Sequence, residues 1–129
     1  MKQAYVSKRY KNIIHIWEPL FRSNFYYIIA DNIEKYHEIV KKSFKIKLAH
    51  KERDIEGNAT SCVKDGNTLH FIWTKKHSPS TLAHECFHAA SDDLACKGIK
   101  LTDESNEAFA YHIEFLMENI LKHLPKGKS

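Results

Sequence analysis

His84, Glu85 and His88 stand in the stretch TLAHECFHAA with the spacing His-Glu-x-x-His. On a helix advancing about 100° per residue, the two imidazoles fall about 40° apart, one turn above the other, and Glu85 lies about 60° round from His88. Two imidazoles so placed suit a divalent metal such as zinc, which takes His nitrogens and at hydrolytic sites keeps one position open for water. A carboxylate alongside is the group that removes a proton from that water. The chain has nine histidines and ten glutamates. At those frequencies a chain of this length shows the pattern by chance about one time in twenty, so its surroundings must decide.

The surroundings are those of a helix apolar over most of its girth. Leu82, Ala83, Cys86, Phe87, Ala89, Ala90 and Leu94 share the wide arc, and His84, Glu85, His88, Ser91 and Asp92 form a narrow polar stripe. No Lys or Arg interrupts it before Lys97. A surface helix would carry charged pairs on its open face. A mostly buried helix must satisfy its polar groups, and a metal does so. The alternative is a pair of histidines hydrogen-bonded in the core or half-exposed.

Other elements must position this helix. NIIHIW at Asn12–Trp17 and FYYIIA at Phe25–Ala30 are β-branched and aromatic, and predict strands. Asp31 is the expected N-cap of a helix that places Ile33, Tyr36, His37, Val40 and Phe44 on one face. Lys45–His50 reads as a short strand and Lys51–Asn58 as a loop. Ala59–Val63 and Thr68–Trp73 read as a hairpin around Asp65-Gly66. Ser78-Pro79 opens the motif helix, which runs to about Lys97 and stops at Gly98. Thr102 is the expected cap of a last helix, with Asp103 and Glu104 in its first turn, running to about His123 before Pro125. The expected fold class is α+β, a small antiparallel or mixed sheet packed on helices.

The motif on its helix resembles the zincin metallopeptidases, over roughly the C-terminal half of the chain. TLAHECFHAA followed by GIKLTDESNEAFAYHIEFL is similar to small gluzincins, to ImmA/IrrE-like proteases of mobile elements, and to small metallopeptidases encoded by bacteriophages. The resemblance implies a zincin-like fold in which an active-site helix precedes a glutamate helix. It implies Zn²⁺ as cofactor, His84 and His88 as ligands, and Glu85 as general base. A third ligand on the following helix would be Glu107, 19 residues after His88, with Glu104 as substitute if the register differs. The elongated metzincin continuation is absent, because Asp92-Asp93-Leu94 and Ile99 do not fit it. Tyr111, one turn beyond Glu107, and then His112 are the candidates to stabilise an oxyanion. Tyr111 stands where some gluzincins carry an Asp, which leaves Asp92 or a backbone carbonyl to orient a ligand. Glu107 shares its stripe with Glu114 and Glu118, and the alternative is a solvated acidic face. Apolar strips of Ala110, Met117 and Leu121 and of Ala108, Tyr111 and Phe115 flank it, which predicts a helix–helix contact.

Bulk properties bound the reading. The 129 residues form one expected domain, residues 1–129, with an ordinary 43% hydrophobic and 28% charged content. No apolar run approaches the roughly 20 residues of a membrane span, and no apolar stretch follows the basic N-terminus, so a cytoplasmic location is expected, extending to host cytoplasm or virion for a phage protein. The net charge of +4 is spread too thinly for a nucleic-acid groove. Cys62, Cys86 and Cys96 lack any pairing pattern and are expected as free thiols. Two functions from different classes follow: a zinc metallopeptidase acting on a peptide or protein substrate, or a non-enzymatic zinc-stabilised interaction or phage-assembly protein. Oligomeric state and substrate stay open.

Overall fold

The computed structural model describes residues 7–49, 55–76 and 78–124. It is α+β, with a mixed five-stranded sheet in the order β1-β2-β3-β5-β4. The strands are β1 (Ser7–Tyr10), β2 (Ile13–Glu18), β3 (Ser23–Ile28), β4 (Gly57–Lys64) and β5 (Asn67–Thr74). The helices are α1 (Ile33–Phe44), α2 (Pro79–Cys96) and α3 (Asn106–His123). Among the described residues no helix is long and apolar enough to cross a membrane.

Strand alternation sends side chains to two cores, one on each face of the sheet. Ile14, Ile16, Phe25, Tyr27 and Ile72 meet Leu82, Cys86 and Ala89 of α2 and Leu116 and Ile120 of α3. Ile28, Phe71 and Trp73 meet Ile33, Tyr36, Ile39 and Val40 of α1 on the other face. Strand β3 pairs parallel with β5, and all other pairs are antiparallel. The return from β3 to β5 therefore carries α1 across one face, and β4 is left at the sheet edge beside α2.

The β4–β5 hairpin turns at Asp65 (φ 53°) and Gly66 (φ 81°), the left-handed pair that Asp-Gly supplies. Several boundaries differ from expectation. Strand β1 is additional; it owes its place to pairing with β2 rather than to its own composition. The cap of α1 is Asn32, whose side chain accepts from the Lys35 amide at 2.8 Å, one residue beyond Asp31. Residues 45–49 form no strand: Lys45 closes α1 in the left-handed region and Leu48 packs into the α1 core without a partner strand. His50 and residues 51–54 of the expected loop lie outside the described residues, and β4 takes Gly57 and Asn58 from its end. Thr102 does not cap α3. Its hydroxyl and amide bond with Ser105 in a turn, and the helix begins at Asn106. Asp103 and Glu104 are thus exposed ahead of the helix.

Candidate metal-binding site on α2

Ser78 sets the register of α2. Its side chain accepts from the Thr81 amide at 3.3 Å, its carbonyl accepts from Leu82 at 3.0 Å, and Pro79 occupies the first turn. At the other end Gly98 (φ 78°) lets the chain turn away, as its position after the helix predicts. On this frame the Nε2 atoms of His84 and His88 lie 3.2 Å apart, with ring planes at 79°. That separation is a hydrogen-bonding distance between the two rings, the alternative to metal binding, and it is also close to the about 3.3 Å between two nitrogens bound tetrahedrally to one zinc at about 2.0–2.1 Å. Both histidines are exposed, and so is Phe87, which the wide apolar arc had placed inside.

Glu85 is buried, unlike its neighbours. It faces β4, where Gly57 leaves it room: a Cβ on Gly57 would come within 2.9 Å of Glu85 Cγ and 3.0 Å of Oε2. Burial pushes the Glu85 carboxyl up from its ordinary range, against the opposing pull of His84 and His88. A depression lined by Ile55, Glu56, Gly57, Ser80, Thr81, His84 and Glu85 opens the carboxylate to solvent. His84 and Glu85 thus line one depression between the edge strand and the helix.

The candidate residues of α3 stand elsewhere. Helix α2 runs antiparallel to β3, with Asp93 bonded to Ser23 at the start of the strand and Cys86 beside Tyr27 near its end. Helix α3 places Tyr111 on Glu18 and His112 on Asp93 at that same sheet end, then advances toward the core shared with Cys86. The two helices are therefore antiparallel. From the Asp93–His112 contact, His88 lies five residues one way and Glu107 five the other, a separation of about 15 Å along the axes. Glu107 is exposed, as are Glu104, Glu114 and Glu118. The structure does not bring Glu107 or Glu104 to the histidine pair. Among the described residues no group of three or more His, Cys, Asp or Glu side chains is placed to hold a metal ion. Tyr111 donates its hydroxyl to Glu18 Oε2 at 2.7 Å, and His112 is buried against Asp93, so neither faces Glu85. Asp92 is half-buried over β4, 3.5 Å from Ser61 Oγ.

Asp93 collects four side-chain hydrogen bonds. One oxygen accepts from His70 Nε2 at 3.0 Å and Lys97 Nζ at 2.7 Å, the other from His112 Nε2 at 2.8 Å and Ser23 Oγ at 2.7 Å. Burial alone would raise its pKa. The hydrogen bonds of His112, His70, Lys97 and Ser23 outweigh that and hold it well below the usual carboxylate range. The signal was present in the sequence: Asp93 falls about 20° from Leu82 on the helical wheel, squarely on the apolar arc, where a carboxylate must be paired. His112 Nδ1 is buried and finds no hydrogen-bond partner.

No known protein family, curated protein or solved structure matches the chain. The three cysteines are free thiols.

Proposed function

We propose that the protein is a metal-dependent peptidase, with zinc held by His84 and His88 and Glu85 as the base. The observation that carries this is the 3.2 Å spacing of the two Nε2 atoms on the helix turn that carries a buried carboxylate, which lines one depression with His84. A bound zinc would polarise a water and a substrate carbonyl. Glu85 takes the proton of the attacking water and passes it to the leaving amine. Because β4 is the edge of the sheet, its free backbone groups can pair with an extended peptide and lay it across the groove. Gly57 opens that strand beside Glu85 without a side chain to block it. Glu107, the third ligand that the zincin resemblance implies, lies about 15 Å along the helix axes from His88 and would reach the pair only by displacement of the first turn of α3.

The test is zinc content and cleavage of an unstructured protein substrate, in wild type and Glu85→Gln. Wild type should bind one zinc and cleave, and chelation should stop it. Glu85→Gln should keep the zinc and lose cleavage by a factor of about 100 or more. Zinc bound without any cleavage in wild type would leave the non-enzymatic, zinc-stabilised reading. Full activity in Glu85→Gln would end the mechanism.

A further inference from the structure

Ser61, His70 and Asp93 form a hydrogen-bonded series apart from the histidine pair. Ser61 on β4 pairs directly across the hairpin with His70 on β5. Ser61 Oγ lies 2.6 Å from His70 Nδ1, and His70 Nε2 lies 3.0 Å from Asp93 Oδ1. The carboxylate accepts only, so His70 carries its proton on Nε2. In the neutral ring Nδ1 is then a lone pair aimed at Ser61, and the one hydroxyl proton of Ser61 goes to it at 2.6 Å rather than to Asp92 Oδ2 at 3.5 Å. His70 is buried, while Ser61 is half-buried and lines an open depression with Ala59, Thr60, Asp92, Ala95 and Cys96.

We propose that Ser61 is a nucleophilic serine with His70 as its base, reacting with neutral or cationic activated esters; Asp93 is the positioning residue. This is the logic of a serine hydrolase triad with the two ring nitrogens exchanged. Ser61 Oγ bonds to the acyl carbon as its proton passes to His70 Nδ1. The bond to the alcohol then breaks, and the proton moves to the departing oxygen. Water repeats the sequence on the acyl-serine, releasing the acid and restoring the hydroxyl. Among the described residues β4 is an edge strand, so alternate backbone N–H groups beside Ser61 have no partner strand, the kind of donor that a developing oxyanion needs. Asp92, 3.5 Å from Ser61 Oγ, repels anionic acyl donors.

The test uses a neutral fluorophosphonate probe on the whole protein, read by intact mass and peptide mapping. Attack by Oγ forms the O–P bond and expels fluoride. The expected result is one adduct per chain on Ser61, formed at least about 100-fold faster than in urea-unfolded protein. It should be absent in Ser61→Ala and strongly slowed in His70→Gln. Nitrogen-15 spectra should show His70 as the Nε2–H tautomer, a state that Asp93→Asn should alter. No adduct on Ser61, equal labelling of native and unfolded chain, or an Nδ1–H tautomer overturns the proposal, even where a His70 or Asp93 variant fails to fold. Zinc binding at His84 and His88 is a separate readout, so the two sites stand or fall independently.

Discussion

At the residue scale, Asp93 shows how a buried charge becomes a fixture of the fold. Four donors converge on it from β3, β5, α3 and the C-terminal cap of α2. Asp93→Ala would strand those donors, and a loss of about 3–5 kcal/mol in urea unfolding is expected. The pH dependence has a definite sign. The folded carboxyl titrates below the unfolded one, so its stabilisation is complete above the unfolded pKa, about 3.9, and drains away as pH falls toward the folded value. Urea midpoints measured from pH 6 down to pH 2 should fall in wild type. The fall should be shallower in Asp93→Ala, which lacks the titrating group. Glu85 is the contrasting case, a buried carboxylate whose pKa burial raises against the pull of His84 and His88.

At the element scale, two backbone positions control how helices meet the sheet. Lys45 ends α1 at φ 60°, ψ 36°, a conformation that costs a side-chain-bearing residue about 1–2 kcal/mol. Lys45→Gly should stabilise by about 0.5–1 kcal/mol, the relief being partly offset by the freer unfolded chain. Chemical denaturation reads this directly. Gly57 has the opposite character. An added Cβ would meet Glu85 Cγ at 2.9 Å and the Trp73 carbonyl at 3.0 Å, so Gly57→Ala should cost about 1–3 kcal/mol. Pairing it with Glu85→Ala should recover part of that loss, and a urea double-mutant cycle measures the coupling.

At the scale of the whole molecule, the question is whether a metal binds and what completes its shell. Zinc binding only the folded chain should raise Tm with concentration, and EDTA should reverse the shift. His84→Ala should abolish the response. Glu107→Ala should leave it intact, because Glu107 stands about 15 Å along the helix axes from His88. Loss of zinc in Glu107→Ala would mean that α3 moves its first turn toward the pair. Calorimetry of zinc binding in the three proteins separates these outcomes.

The sequence by itself determined the local pieces. The Asp-Gly turn, the Ser-Pro start and Gly stop of α2, and the four-residue spacing of His84 and His88 are set by neighbours within a few positions, where backbone preference and helical geometry act without help. Only the tertiary structure decided which polar residues meet. The antiparallel packing of α2 and α3 carries Glu107 away from His88 and brings His112 to Asp93. The β4–β5 register sets Ser61 against His70. The edge position of β4 puts Gly57 under Glu85. Sequence spacing along a helix gives the height of a residue and its bearing on that helix alone. The bearing of one helix on another follows from the burial of every apolar face at once, and no short stretch contains that.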